Sequence, residues 1–100
     1  MTRAIEITSF MLRGRLGAAD FVAANADVDP WLRRQPGFVS RIMLEESNGR
    51  IIDMVIWESK SQAEDSTRRL MRELADSPVH DVIEQDSVSW SISSVVYRSS

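Results

Sequence analysis

The chain has 100 residues, of which 43% are hydrophobic and 27% are charged, and its formal net charge is −3. This length suits one modest hydrophobic core, so we expect a single domain over residues 1–100. The charge balance, and the lack of a basic stripe interleaved with aromatic residues, argue against a nucleic-acid partner. The absence of cysteine excludes disulfides, thiolate metal ligands and cysteine nucleophiles.

The sequence carries no apolar run typical of a signal peptide, and no segment long and apolar enough to span a bilayer. We therefore expect a cytoplasmic protein with no membrane partner. One histidine and no cysteine also argue against a high-affinity transition-metal site.

The first predicted elements are a strand and a helix. Residues 4–12 alternate with a period of two and predict a strand. From Ala18 the apolar period becomes helical. The side chains predicted to face the sheet from this helix are Phe21, Asn25, Val28 and Leu32. Pro30 cannot continue a regular helix without losing a hydrogen bond, so we expect a break there, with Asp29 capping the turn that follows.

Residues 35–58 predict a β-hairpin around Asn48-Gly49. This pair favours a two-residue type I′ turn, because both central residues of that turn need positive φ. Such a turn predicts these strand pairs: Ser47–Arg50, Leu44–Asp53, Ile42–Val55, Ser40–Trp57, Met43–Met54 and Arg41–Ile56. Both faces of the hairpin then carry large apolar groups, so we expect both faces to be covered.

Two helices and a strand are predicted after the hairpin. Ser61-Gln-Ala-Glu64 is a capping-box pattern, which predicts a helix that begins after Ser61. Ser77-Pro78 signals a further short helix, running to about Glu84 and carrying His80 on its flank. Regular alternation over residues 88–97 predicts the last strand.

The predicted order is therefore βαββαβ, which is the α+β, ferredoxin-like arrangement with helices on one face of an antiparallel sheet. The opposite sheet face, with Met43, Met54 and Ile56, needs a partner. A second copy across a two-fold axis is the simplest one, so we expect a homodimer in which two sheets pack face to face.

Asp53 and Trp57 lie four residues apart on one predicted strand and therefore share a face. Trp57 is either a core anchor, with Asp53 at a solvated strand end, or the wall of an apolar pocket under the first helix. In the second interpretation Phe21 and Asn25 also face the pocket, and a half-buried Asp53 could accept a proton.

His80 is the only histidine, and this residue type titrates near neutral pH. It is either a structural residue or a general base oriented by Asp53 or Asn25. Asn25 lies on an apolar stripe, where a buried amide must find partners. Those partners are either a ligand carbonyl or a backbone group.

Four motifs are spread along the chain: Gln35-Pro-Gly-Phe38, Asn48-Gly49, Asp53-x-x-x-Trp57-Glu-Ser and Ser77-Pro78. Together they resemble the antibiotic biosynthesis monooxygenase-like proteins of the dimeric α/β-barrel superfamily. The resemblance covers nearly the whole chain. It implies a homodimer of ferredoxin-like subunits whose two sheets form a barrel, with a small-molecule cavity between the helices and the sheet of each subunit.

Some members of that group are cofactor-independent oxygenases that deprotonate polyaromatic phenols, whose carbanions react with dioxygen to give quinones. The resemblance thus implies a monooxygenase without a cofactor, acting on a small aromatic or polyketide-like substrate. Asp53 or His80 would accept the substrate's proton. Trp57, Asn25 and Phe21 would contact the substrate. This chain has Asp53 where those enzymes carry an asparagine.

Two alternatives remain open. The first is a non-catalytic dimeric module that binds a small apolar or aromatic molecule. The second is haem degradation, in which a histidine ligates iron; His80 is the one candidate here, although this chain lacks the first-strand asparagine and second-helix tryptophan of the haem-degrading relatives.

Overall fold

The chain folds into strands and helices in the predicted order. The structure, a computed structural model, describes residues 2–100. Its elements are β1 (Ala4–Phe10), α1 (Ala18–Ala24), α2 (Val28–Arg33), β2 (Phe38–Glu45), β3 (Ile51–Trp57), α3 (Lys60–Glu73), α4 (Val79–Val82), a 3-10 helix (Gln85–Ser87) and β4 (Ser89–Ser94). None of the helices within residues 2–100 is both long enough and apolar enough to cross a membrane.

The four strands form one antiparallel sheet in the order β2-β3-β1-β4. The helices cover one face of this sheet, and their buried side chains join those of β1 and β3 in one core. Alternation along β3 is strict, since Ile51, Asp53, Val55 and Trp57 are buried toward the helices. The predicted ferredoxin-like arrangement is therefore confirmed.

The first helical region is broken, but before Pro30 and not at it. The chain leaves α1 after Ala24 and enters α2 at Val28, with Asp27 in the capping position instead of Asp29. Pro30 is the third residue of α2, where backbone N–H groups have no partner inside the helix, so its missing N–H costs little. The predicted inward stripe of Phe21, Asn25, Val28 and Leu32 is buried, as expected.

The hairpin loop is one residue longer than predicted. The N–H of Glu46 donates to the carbonyl of Arg50 at 2.8 Å, and the N–H of Gly49 donates to the carbonyl of Glu46 at 2.8 Å. Gly49 has φ of 88°, whereas no other residue type between residues 2 and 100 has positive φ. Asn48 therefore cannot occupy a type I′ turn. The loop is Ser47-Asn48-Gly49, with only the glycine in the left-handed region.

The longer loop shifts the strand pairing by one residue, so that Arg41 lies opposite Val55. The predicted pairs are accordingly wrong: Ser47–Arg50, Leu44–Asp53, Ile42–Val55, Ser40–Trp57, Met43–Met54 and Arg41–Ile56. Because side chains alternate along a strand, the shift exchanges the two faces of β2. Arg41 and Met43 face the helices, and Ile42 and Leu44 face away from them.

Two helix starts also differ from the prediction in detail. Ser59, not Ser61, caps α3, because its hydroxyl accepts the N–H of Gln62 at 3.3 Å. Ser59 and Gln62 have the same capping-box spacing as the predicted pair. At α4 the Ser77 hydroxyl accepts the N–H of Val79 at 3.3 Å, in agreement with the predicted start.

The sheet face opposite the helices is apolar. Ile42 and Leu44 on this face are 47% and 46% exposed. The register places these further apolar side chains beside them: Ile5, Ile7, Ile52, Met54 and Ile56. Met43, which was expected here, lies on the other face, so the correction makes this surface more apolar than predicted.

Candidate functional site

A cavity of about 360 Å³, partly open to solvent, lies between the helices and the sheet. Its apolar wall consists of Phe10, Phe21, Val28, Leu32, Val55, Leu70, Met71, Val79, Ile83 and Val88. Its polar and aromatic lining consists of Glu6, Thr8, Asn25, Arg41, Asp53, Ser66, Thr67, His80, Gln85 and Trp90. A small ligand would therefore meet an apolar enclosure with a few polar groups, as in most small-molecule sites.

Asp53 is held by Arg41 from the neighbouring strand. Arg41 Nε donates to Asp53 Oδ1 at 3.0 Å, and Arg41 Nη2 donates to Asp53 Oδ2 at 2.6 Å. The pair is bidentate and mostly buried, with exposed side-chain fractions of 7% for Arg41 and 12% for Asp53. Both carboxylate oxygens are thus occupied, and a proton from a ligand would compete with the guanidinium.

Asn25 links this ion pair to α1. Its Oδ1 accepts a hydrogen bond from Arg41 Nη2 at 2.8 Å, and its Nδ2 donates to the carbonyl of Phe21 at 2.7 Å. The buried amide therefore has partners at both ends, as its placement on an apolar stripe requires. Asn25 fixes the position of the guanidinium at the cavity wall.

Glu6 is the centre of a second buried network. Its Oε1 accepts the indole N–H of Trp57 at 3.1 Å. Its Oε2 accepts the indole N–H of Trp90 at 2.8 Å and lies 2.7 Å from the Thr67 hydroxyl. Glu6 itself is 9% exposed, so three neutral donors solvate a carboxylate that water scarcely reaches.

His80 lies on α4 at the edge of the cavity. Its Nε2 is 2.9 Å from the carbonyl oxygen of Leu74. Because a carbonyl only accepts hydrogen bonds, Nε2 carries the hydrogen of this contact, and Nδ1 is the other nitrogen of the ring.

The two tryptophans of the Glu6 network have different surroundings. Trp57 has no exposed surface, does not line the cavity, and packs edge-to-face on Phe38 with ring centroids 6.0 Å apart. Trp90 lines the cavity and is 49% exposed. The exposed aromatic surface at this site is therefore that of Trp90.

The cavity brings together four of the five side chains that the sequence singled out: Phe21, Asn25, Asp53 and His80. The fifth, Trp57, reaches it only through its hydrogen bond to Glu6. Sequence reasoning missed Glu6. Its position could have indicated a buried acid, because Glu6 lies on the same face of the first strand as Ala4 and Phe10. It also missed Arg41, because the predicted register placed that residue on the opposite face.

No arrangement typical of a metal centre accompanies these residues. Over the described range, 2–100, no three His, Asp or Glu side chains lie close enough together to hold a metal ion. The Nε2 atom of His80, which a haem iron would take as ligand, is hydrogen-bonded to Leu74.

The fold is shared with solved structures of antibiotic biosynthesis monooxygenase-like proteins, which confirms the resemblance at the level of the fold. No protein-family model matches the sequence, and no curated protein sequence matches it significantly. The similarity to known proteins is therefore detected in the fold and not in the sequence.

Two of these structures, and a third solved structure with the same fold, illustrate the similarity. A mutant of SnoaB, a cofactor-independent oxygenase from Streptomyces nogalater, has a TM-score of 0.75 at 14% identity, over 96% of this chain and 95% of that one. The monooxygenase ActVA-Orf6 of Streptomyces coelicolor, in complex with nanaomycin D, has a TM-score of 0.74 at 17% identity, over 97% and 90%. A dimeric ferredoxin-like protein from an uncultured marine organism has a TM-score of 0.72 at 12% identity, over 98% and 91%.

Proposed function

We propose that the protein is a cofactor-independent monooxygenase that oxidises a small hydroxylated aromatic or polyketide-like molecule in the cavity between the helices and the sheet. The main support is that His80, Asp53 and Asn25, which are distant in sequence, all line one largely apolar cavity. Further support is that the fold is similar to that of SnoaB, a cofactor-independent oxygenase, and to that of the monooxygenase ActVA-Orf6.

The proposed reaction begins when a base removes the proton of a phenol. The carbanion character that develops on the ring then allows a ring carbon to react with dioxygen. The substrate loses two hydrogen atoms and gains one oxygen atom to become a quinone, and the second oxygen atom leaves as water. In this scheme the protein binds the substrate, excludes bulk water and accepts the first proton.

His80 is the better candidate for the base. Both oxygens of Asp53 already accept hydrogen bonds from Arg41, whereas the contact of His80 with Leu74 occupies Nε2 and leaves Nδ1 as the atom that would act as the base. Asp53 and Asn25 would then act by holding Arg41 at the cavity wall. Trp90, not the buried Trp57, would supply the aromatic surface for the substrate.

One observation favours a second function, a module that binds a small apolar or aromatic molecule without turning it over. The two carboxylates that line the cavity already accept hydrogen bonds. Asp53 accepts them from Arg41, and Glu6 accepts them from two indoles and a hydroxyl. If His80 does not act as a base, the same cavity binds a ligand and leaves it unchanged.

Incubation with a panel of hydroxylated polyaromatics, with and without oxygen, separates the two functions. The enzyme should consume oxygen and form quinone, and His80→Gln should lower the rate by about 100-fold or more, the usual contribution of a general base. Its dissociation constant for the substrate, measured without oxygen, should stay the same. Asp81→Asn, an exposed change on the same helix, is the matched control.

Quinone formation that persists unchanged in His80→Gln would remove this residue from the mechanism. A wild-type protein that binds panel members anaerobically, and yet consumes no oxygen with them, would be the binding module.

The proposal includes a homodimer formed through the apolar sheet face opposite the helices, with a cytoplasmic location. Ile42 and Leu44, on the edge strand β2, leave nearly half of their surfaces exposed there, and they adjoin Ile52, Met54 and Ile56 on the same face. A contiguous apolar surface of this kind is typical of an interaction site. Covering that face with a second copy would give the two-sheet barrel that the resemblance implies.

A further inference from the structure

Two buried polar atoms have no hydrogen-bond partner among residues 2–100: the Oγ atom of Ser66 and the Nη1 atom of Arg41. Ser66 is 1% exposed, and the side chain of Arg41 is 7% exposed. Arg41 Nη1 lies 3.5 Å from Asp29 Oδ1, an ion-pair distance without the geometry of a hydrogen bond. Both residues line the same cavity.

Such atoms are costly to bury. A buried donor or acceptor without a partner destabilises the folded state, and more strongly when the group is charged, so folded proteins keep few of them. Two such atoms belong to residues that line one cavity, which makes a molecule bound in that cavity the candidate partner for both of them. This is the opposite of the arrangement at Ser77, whose buried hydroxyl donates to Asp27 Oδ1 at 3.0 Å.

The chemistry of these atoms defines the ligand group. A guanidinium nitrogen only donates hydrogen bonds, and a serine hydroxyl has one hydrogen to donate, so both are satisfied by acceptor oxygens. The charged groups that line the cavity are the carboxylates of Glu6 and Asp53 and the guanidinium of Arg41. Since the carboxylates outnumber the cation, a ligand that enters as an anion would be repelled, whereas a phenol that passes its proton to His80 inside the cavity adds no net charge. A carbonyl oxygen without a formal charge meets both conditions.

We propose that Arg41 Nη1 and the Ser66 hydroxyl form an oxygen-binding subsite that selects uncharged aromatic ketones over both their deoxygenated and their anionic counterparts. The inference deepens the proposed function, on which it rests, by naming the group of the substrate that the cavity recognises. Asp53 and Asn25 are positioning residues for this subsite, because they hold the other nitrogens of the guanidinium.

Three two-ring compounds of similar size test the selection: tetralone, which is an uncharged ketone, tetralin, which lacks the oxygen, and naphthoate, which is an anion. Dissociation constants come from chemical-shift titration of the protein. The wild type should bind tetralone about tenfold more tightly than tetralin, since hydrogen bonds to charged donors are among the stronger ones. Naphthoate should bind more weakly than tetralone.

Ser66→Ala should weaken tetralone binding by about threefold to tenfold and leave tetralin binding unchanged. The same change should raise the melting temperature of the unliganded protein, or leave it unaltered, because it removes a hydroxyl that has no partner. Ser77→Ala is the matched control. It should lower the melting temperature, because its hydroxyl is paired, and leave the affinity for tetralone unchanged.

Arg41→Lys gives a second measure of the subsite, since lysine keeps the charge but lacks Nη1. Its preference for tetralone over tetralin should fall toward equality.

Equal wild-type affinity for tetralone and tetralin would overturn the proposal, as would tighter binding of naphthoate or the absence of any saturable shift with tetralone. A Ser66→Ala variant that loses stability as Ser77→Ala does would also overturn it. All of these are equilibrium measurements with compounds that need not react, so a failure of the proposed oxygenase activity would be seen separately.

Discussion

Glu6 accepts the indole N–H of Trp57 at 3.1 Å, within the buried layer between the sheet and the helices. The other oxygen of the same carboxylate accepts the indole N–H of Trp90 at 2.8 Å. One acid thus connects a tryptophan without exposed surface to a tryptophan that lines the cavity and is half exposed. The orientation of the Trp90 ring at the cavity therefore depends on a residue of the central strand β1.

Replacing Glu6 with glutamine should destabilise the protein. The amide offers one acceptor oxygen, and its NH₂ group would face a donor, so at least one of the two indoles or Thr67 loses its partner. We expect a loss of about 1–3 kcal/mol in the free energy of unfolding, measured by urea denaturation.

Glu58→Gln is the matched control, because Glu58 is half exposed and its contact with Arg3 is a 3.7 Å surface ion pair. It should change the free energy of unfolding by much less, as surface pairs do. Equal urea midpoints for the two variants would show that the Glu6 network contributes little.

Trp90 should bind aromatic ligands through its ring face. Trp90→Phe keeps an aromatic face and loses the N–H that fixes it, whereas Trp90→Leu loses the face as well. We expect Trp90→Leu to weaken the binding of an aromatic ligand such as tetralone by about twofold to tenfold, the value of an aromatic pair, and Trp90→Phe to have an intermediate effect. Trp31→Phe, which does not touch the cavity, should leave the affinity unchanged. Identical affinities in all three variants would contradict a stacking role.

The order of elements and most side-chain orientations could be predicted because they follow from short-range periodicity. The buried stripe of Phe21 and Asn25 on α1 is such a case, and so is the alternation along β3. The face of β2 on which Arg41 lies could not be predicted, because it depends on the length of the hairpin loop. An Asn-Gly pair fits both a two-residue loop and a three-residue loop with glycine last, and the choice moves every side chain of β2 to the other face.

Local sequence patterns also could not predict which of Trp57 and Trp90 lines the cavity. Both residues alternate onto the helix-facing side of their strands. Trp57 is buried because β3 lies inside the sheet, whereas Trp90 is half exposed because β4 is an edge strand. Strand order is a property of the whole fold, so the sequence pattern predicted an aromatic residue near the cavity but not which tryptophan faces it.

Gly49 should be the one loop residue on which the hairpin register depends. Its φ of 88° is unfavourable for residues with a Cβ, and an added Cβ would meet only Met11 Cε at 3.9 Å, so the cost of substitution is conformational and not steric. Gly49→Ala should therefore lose about 1–2 kcal/mol in the free energy of unfolding. Gly49→Asn, which tolerates the left-handed region better, should lose less. Equal losses, measured by urea denaturation, would contradict the observed loop.

Ile42 should be essential for the proposed homodimer. The corrected register places it opposite Met54 on the sheet face away from the helices, where it is 47% exposed in the single chain. In a dimer formed through this face, Ile42→Asp would bury an unpaired carboxylate in each subunit. Such burial costs several kcal/mol per charge. We therefore expect sedimentation to show weaker dimerisation, with the dimer dissociation constant raised on the order of 100-fold or more.

Val22→Asp gives the comparison that this experiment needs, because Val22 is 58% exposed on α1, on the other side of the molecule. It introduces the same charge at an aliphatic surface position and should leave the dimer intact. Circular dichroism of both variants separates a loss of assembly from a loss of folding. A wild-type protein that sediments as a monomer at micromolar concentration, or a dimer that survives Ile42→Asp, would mean that this apolar face is not the surface through which two copies meet.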